Sequence, residues 1–216
     1  MKILAIDTVT ESCSAALLVG GESVNRSEIA RNRHSTLILP MIEAVLAEGG
    51  ITLGDLDAVA FDRGPGSFTG LRIGAGVAQG VAFAADLPVC GVSSLVALAA
   101  ASGRRRVLAA IDARMKQVYW ALVSGTGDRM STRAESLDDP VDVRVEAGEV
   151  HGVGSGWDVY NETLERARGG EAIGWTPGCF PQADWVARLA ARMLADHGGE
   201  PPEAATPVYL RNRVTG

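Results

Sequence analysis

"KILAIDT" at residues 2–8 and "RVLAAIDAR" at residues 106–114 are two copies of one pattern, an apolar run that ends in an aspartate. The aspartates, Asp7 and Asp112, lie 105 residues apart, which is close to half of the 216-residue chain. Each copy is followed by a second apolar run, "SAALLV" at 14–19 and "VYWALV" at 118–123. We therefore expect two similar halves that each begin with a strand, a turn and a second strand.

The match between the halves continues into the second strands. At the same offset of 105 residues, Ala16 corresponds to Ala121 and Leu17 corresponds to Leu122. A constant offset through strand, turn and strand indicates an internal duplication, although the second half diverges afterwards.

The rest of the first half has the pattern of a mixed α/β sheet. Polar and apolar periodicities predict a strand at 22–30, a helix at 34–48, a strand at 56–64, a helix at 68–85, a strand at 88–92 and a helix at 94–102. A hairpin meander followed by right-handed crossovers gives a sheet with helices on its faces.

The second half is less regular. Residues 124–150 are polar, residues 150–157 are expected to hold a strand and a glycine-rich turn, and a helix is predicted at 182–197. We divide the chain into an N-terminal lobe at 1–103 and a C-terminal lobe at 104–216.

Composition narrows the class of protein. The chain is 47% hydrophobic and 21% charged, with a net charge of −6, which argues against a protein that coats nucleic acid. Its three cysteines are far apart and none belongs to a CxxC motif, so we expect a reduced, cytoplasmic protein. The longest apolar stretch, 81–101, is interrupted by polar residues, and no membrane span is expected.

The glycine-rich stretch "RGPGSFTGLRIGAG" at 63–76 resembles a phosphate-binding loop without matching one. A P-loop needs a lysine after its last glycine, but Leu71 follows Gly70. The GxGxxG spacing also fails, because Thr69 occupies the place of its third glycine. We favour the interpretation that Ser67 caps a helix. The alternative is that Ser67 or Thr69 and the free N–H groups hold an anion.

Asp7 and Asp112 also allow two interpretations. In two-lobed phosphotransferases, paired aspartates hold a metal and phosphates across a cleft. The favoured alternative is that each aspartate closes its own turn. Asp7, Ser67, Thr69 and Asp112 together are the candidate vestigial nucleotide site. The histidines at 34, 151 and 197 lack ligand spacing, and we expect no metal site.

Two helices have more apolar or small surface than one core contact requires. Apolar residues of the helix at 34–48 cover an arc of roughly 180°, whereas a core contact needs about 100°. The helix at 68–85 has small residues at four-residue spacing in two rows: Gly70, Gly74, Ala78 and Ala82, and Gly76, Gly80 and Ala84. Either the helix fits tightly on the protein's own sheet, or the small residues dock another protein.

These motifs resemble those of the TsaB (YeaZ) family. The resemblance rests on "ILAIDT" at 3–8, His34 with Leu39 and Pro40, "GPGSFTG" at 64–70, "VLAAIDAR" at 107–114 with "VYWA", and "PVYLRN" at 207–212. It is strongest at 1–123 and 207–213. Asp62 departs from the family motif, which has glycine there. The resemblance implies an α/β fold of the actin-like ATPase class (ASKHA, ribonuclease H-like), with two similar lobes from a duplication.

The resemblance also implies a function in forming N6-threonylcarbamoyladenosine (t6A) beside the anticodon of tRNAs that read codons beginning with A. The family's paralogue TsaD carries a catalytic His-x-x-x-His metal motif. Ser94 and Leu98 stand in the similar place here. The family thus implies a non-catalytic subunit without a cofactor of its own, with catalysis in TsaD.

The implied partners are TsaD, in a heterodimer, and the ATPase TsaE. The resemblance also allows a homodimer when the chain is alone. Contact with tRNA is expected only through the complex with TsaD. The resemblance allows a bound nucleotide at the interface of that complex. The first two helices are expected to dock TsaD through Leu37, Met41, Val45, Leu46, Gly70, Leu71, Gly74 and Ala78. The alternative function is a glycoprotease-like peptidase or a stand-alone ATPase.

Overall fold

A five-stranded sheet forms the first half of the chain. The computed structural model describes residues 1–146, 148–166 and 174–211. The strands are β1 (Lys2–Asp7), β2 (Ser12–Val19), β3 (Glu22–Ile29), β4 (Ala58–Gly64) and β5 (Val89–Ser93), in the order β3-β2-β1-β4-β5. β1, β2 and β3 are an antiparallel meander, and β4 and β5 run parallel to β1. The helices α1 (His34–Gly49), α2 (Phe68–Ala85) and α3 (Ser94–Ala101) confirm the predicted order of elements.

The second sheet repeats the hairpin and then departs from the first. Its strands are β6 (Arg106–Asp112), β7 (Val118–Ser124), β8 (Ser131–Thr132), β9 (Ser136–Asp138), β10 (His151–Val153) and β11 (Trp175–Thr176), in the order β11-β10-β6-β7-β8 with β9 also on β7. The helices are α4 (Ser155–Arg166) and α5 (Ala183–His197). Only a glycine-rich turn was predicted where α4 begins, so this helix was missed.

The offset of 105 residues does not hold through both strands of the two hairpins. Asp7 pairs with Ser14, but Asp112 pairs with Val118, which is one residue earlier than the offset predicts. The turn between β6 and β7 is one residue shorter, and Arg114, Met115 and Lys116 within it all adopt positive φ. A shift of one residue exchanges the faces of a strand. At the offset of 105, Ala16 and Ala121 both lie in the core shared by the two sheets, whereas Ala5 lies in it and Ala110 does not.

The last helix of each half packs on the sheet of the other half. α5 lies against β1, β2, β4 and β5, whereas α3 lies against β6 and β7. Their side chains join both sheets in one shared core that contains Ile3, Leu98, Val107 and Val186. Two further cores lie on the outer faces, under α1 and α2 in the first half and under α4 in the second.

The predicted boundary between the two lobes, at residues 103 and 104, lies in the connection between α3 and β6. The division into two lobes stays a prediction, because α3 and α5 each pack on the sheet of the other half. Within the described ranges, no helix is long and apolar enough to cross a membrane.

Candidate partner surface and interlobe cleft

The glycine-rich loop is held against the turn that follows β1. Ser67 donates its N–H to the carbonyl of Val9 at 2.7 Å, and its hydroxyl accepts from the N–H of Gly70 at 3.3 Å. Gly66 lies so close to Val9 that a Cβ there would be 2.5 Å from the Val9 carbonyl. Gly64 has a φ of 101°, which favours glycine. These contacts confirm the interpretation that Ser67 caps α2.

A cleft of about 420 Å³ lies between the two halves. It is lined by the turn after β1, the loop before α2, the β6–β7 turn and residues 208–211. Ser67 and Asp112 lie in this lining, but Asp7 is fully buried beneath it and Thr69 is exposed on α2 outside it. The structure therefore brings together two of the four residues of the candidate nucleotide site.

The aspartates of that site make contacts within their own turns. Asp7 accepts from the N–H of Val9 at 3.1 Å. Asp112 accepts from the N–H of Arg114 at 3.0 Å and pairs with its guanidinium at 3.1 Å. Burial raises the pKa of the Asp7 carboxyl well above its usual value, and the neighbouring Asp62 raises it further. These contacts fit the turn-closing interpretation for both residues.

The C-terminal segment at 207–211 joins the halves across this cleft. Val208 donates its N–H to the carbonyl of Arg63 at 2.8 Å, and the Arg211 guanidinium donates to the side-chain oxygen of Gln117 at 2.8 Å. Between these anchors, Tyr209 packs against Phe68 with ring centroids 5.5 Å apart. The sequence "PVYLRN" was used only as part of a family resemblance, so the contact of Tyr209 with Phe68 was missed. The last residue of this motif, at 212, lies outside the described residues.

Two of the three histidines make hydrogen bonds to oxygen atoms of the protein. His34 Nε2 lies 2.8 Å from the carbonyl of Thr10, and His151 Nε2 lies 2.7 Å from the hydroxyl of Thr176. Among residues 1–146, 148–166 and 174–211, no group of three or more His, Cys, Asp or Glu side chains could hold a metal ion.

Most of the predicted docking residues lie inside the fold, and their contact with a partner stays a prediction. A Cβ on Gly74 would be 2.6 Å from the Thr8 hydroxyl, and one on Gly70 would collide with the Thr8 carbonyl. These glycines therefore let α2 fit on the turn after β1. Leu37 is half-buried, and the remaining seven residues are buried: Met41, Val45, Leu46, Gly70, Leu71, Gly74 and Ala78.

The opposite sides of α1 and α2 are exposed and carry apolar residues among polar ones such as Glu43 and Gln79. The Phe83 side chain is 72% exposed, and a Cβ on Gly76 or Gly80 would meet no described atom within 4 Å. α1 and α2 contact each other. We call their exposed or half-buried apolar side the docking face; it consists of Leu37, Pro40, Ala44, Ala47, Ile73, Gly76, Val77, Gly80, Phe83 and Ala84.

Known proteins match the chain along its length. A family model described as "TsaD: tRNA N6-adenosine threonylcarbamoyltransferase" matches residues 24–166. The tRNA threonylcarbamoyladenosine biosynthesis protein TsaB of Escherichia coli K12 is 41% identical over 99% of this chain and 96% of that protein. The chain belongs to the TsaB family. TsaB of Haemophilus influenzae is also 41% identical, over 100% of this chain and 95% of that protein.

A solved structure supports the same assignment for this TsaB-family chain. YeaZ from Pseudomonas aeruginosa is similar with a TM-score of 0.90 and 39% identity, over 97% of this chain and 99% of that one. The predicted TsaB (YeaZ) family and the predicted actin-like α/β fold are both confirmed.

Proposed function

We propose that this TsaB-family chain is a non-catalytic scaffold subunit in the formation of t6A in tRNA, and that it binds a TsaD transferase through the docking face. TsaE and tRNA join the assembly through that complex. The names of the TsaB relatives and the TsaD description of the family model support the pathway. The exposed row of small residues on α2 is the observation that carries the proposal.

The small residues of this row lack a packing reason inside the protein. Each glycine within a helix costs roughly 1 kcal/mol relative to alanine. For Gly70 and Gly74 the fit against Thr8 offsets this cost, whereas a Cβ on Gly76 or Gly80 would meet open space among the described residues. A second helix that approaches closely at Gly76 and Gly80 supplies the missing reason.

The neighbouring side chains favour a protein partner. Phe83 is 72% exposed, and Ile73 and Val77 are half-buried beside the glycines. A contiguous apolar patch of this kind on a globular protein marks an interaction site. Small residues flanked by large apolar ones suit helix-to-helix docking, which the proposal assigns to α1, α2 and two helices of TsaD.

Two buried residues support catalysis in the partner. Ser94 and Leu98, which stand where TsaD has its metal-binding histidines, are fully buried. The Ser94 hydroxyl lies within hydrogen-bond distance of Asp62 and Pro65, and Leu98 packs in the shared core. Neither side chain is placed to ligate a metal, so the proposal gives this chain a binding role.

The test is co-purification with TsaD from the same organism, followed by measurement of t6A in tRNA modified by the reconstituted complex. Phe83→Glu is expected to lower TsaD binding at least tenfold, because it places a charge in an apolar interface. Val159→Glu is the control, since Val159 is also an exposed apolar residue, 55% exposed on α4 and outside the docking face. TsaD binding by Phe83→Glu and Gly80→Phe as tight as that of the unmodified chain would contradict the proposal.

The alternative enzymatic function has its own test. The purified chain is expected to turn over neither ATP nor a peptide. For ATP the reason is that the fully buried Asp7 offers no accessible carboxylate to a phosphoryl group. ATP hydrolysis by the pure chain that disappears in Asp7→Asn would favour the stand-alone ATPase.

A further inference from the structure

Asp62 has a buried carboxyl group that takes no part in the proposed function. It lies at the end of β4 and is 1% exposed, at a position where the TsaB motif has glycine. Its Oδ1 accepts from the N–H of Gly64 at 2.9 Å and lies 2.7 Å from Ser94 Oγ. Its Oδ2 has no hydrogen-bond partner among the described atoms.

The hydrogen count around Ser94 indicates an additional proton. Ser94 Oγ lies 2.7 Å from Asp62 Oδ1 and 2.8 Å from the carbonyl oxygen of Pro65. If Asp62 is ionised, both neighbours are acceptors, but a hydroxyl has only one hydrogen to donate. A proton on Asp62 Oδ1 fills both contacts, since Asp62 then donates to Ser94 and Ser94 donates to Pro65.

The charges around Asp62 act in opposite directions. Asp7 on β1 is fully buried, and a charge on Asp62 raises the pKa of the Asp7 carboxyl, so two ionised carboxylates in this core would be costly. Arg63 on β4 favours the ionised form, but its guanidinium pairs with Glu135 at 3.3 Å, and Glu135 opposes it. Burial is the largest effect; it outweighs the hydrogen bonds from Ser94 and Gly64, which act against it, and the pKa of Asp62 is raised to about 7. An ionised Asp62 would also leave a charged Oδ2 without a partner in the core, which is costly.

We propose that Asp62 is protonated in the folded protein below neutral pH and holds Pro65 through Ser94, so that one proton adds to the order of the loop at 64–67. This loop carries Ser67, which caps α2. Loss of the proton removes one of the two contacts of Ser94 and weakens the link between Pro65 and Asp62, while Ser67 stays bonded to Val9. The proposal is independent of the proposed function, because it concerns the folding and loop order of the isolated chain.

The direct test is carboxyl ¹³C NMR on aspartate-labelled protein, with Asp62→Asn used to assign the signal. We expect the Asp62 carboxyl to have the shift of a neutral acid at pH 5 and to titrate near or above neutral pH. The shift of a carboxylate at pH 5 would overturn the proposal. If Asp62→Asn does not fold, Asp62→Glu assigns the signal instead, by its loss from the aspartate spectrum.

The second test is hydrogen exchange of residues 64–70 at pH 6 and pH 8. Asp62→Gly, which restores the residue of the family motif, corrects for the intrinsic pH dependence of exchange. Relative to Asp62→Gly, we expect the unmodified chain to lose at least tenfold protection in this loop between the two pH values. Ser94→Ala should lack protection at both, because it removes the link to Pro65. Equal pH dependence in the unmodified chain and Asp62→Gly would contradict the proposal.

Discussion

Thr8 donates its hydroxyl hydrogen to the carbonyl oxygen of Gly70 at 2.7 Å, which joins the turn after β1 to the first turn of α2. Gly70 and Gly74 allow this approach, since a Cβ on either would meet Thr8. The first row of small residues on α2 therefore belongs to the packing of the fold. The second row, at Gly76 and Gly80, lies on the other side of the helix and is open.

Alanine at these glycines should have opposite effects on stability. We expect Gly70→Ala to lower the free energy of unfolding by about 1–3 kcal/mol, because the new Cβ overpacks against Thr8. Gly80→Ala is the matched control on the same helix and should raise it by up to about 1 kcal/mol through helix propensity. Denaturant unfolding of both variants measures the two changes. A shift of the same sign in both would contradict this account of the two rows.

Local signals in the sequence predicted the elements of the first half. α2 spans Phe68–Ala85 as expected, because Ser67 caps its start and Asp86, with a φ of 52°, ends it. The second half was less predictable. The β6–β7 register depends on three positive-φ residues with ordinary side chains, and α4 begins after a glycine pair that reads as a turn.

The candidate site depended on contacts that no local pattern encodes. Both rows of small residues on α2 look alike in the sequence, and only the position of Thr8 decides which row is buried. Asp7 and Asp112 look equivalent, but one is buried beneath the cleft and the other lines it. For Asp62 a signal was present, since an aspartate replaces a motif glycine within an apolar strand.

Phenylalanine on the two rows of α2 should separate folding from binding of TsaD. Gly80→Phe places its ring in open space, so we expect an unchanged melting temperature and at least tenfold weaker TsaD binding. Gly74→Phe directs its ring at Thr8 and should lower the melting temperature first. The two measurements are thermal unfolding of each variant alone and its co-purification with TsaD. A Gly80→Phe chain that melts early would show that this side of α2 is packed within the protein.

Trp157 should be the main anchor of α4. Its ring is fully buried against Gly152, and its Nε1 donates to the carbonyl of Leu108 at 2.9 Å. Trp157→Phe leaves that carbonyl without its donor and opens a small void, so we expect a loss of about 1–3 kcal/mol. Trp175→Phe, at a half-buried tryptophan of β11, is the control and should cost less. Equal losses in urea unfolding would argue against this role for Trp157.

Ser14 should control how α5 of the second half attaches to the first sheet. Its Oγ accepts from the N–H of Ala183 at 2.9 Å, at the first residue of α5, and lies 3.5 Å from the Asp7 carboxylate. Ser14→Ala removes the acceptor for a buried N–H, so we expect a loss of about 1–3 kcal/mol.

The location of that loss distinguishes attachment of α5 from a general weakening of the sheet. In Ser14→Ala, hydrogen exchange should rise first in the opening turn of α5, while α4, which packs on the far side of β6, stays protected. Ser12→Ala is the matched control, because among the described residues the Ser12 hydroxyl bonds the Gln182 side chain at 3.5 Å and no backbone group of α5. Its effect on α5 should be smaller. If Ser12→Ala and Ser14→Ala expose α5 equally, the hydrogen bond to Ala183 does not hold the helix, and the apolar contacts of the shared core do.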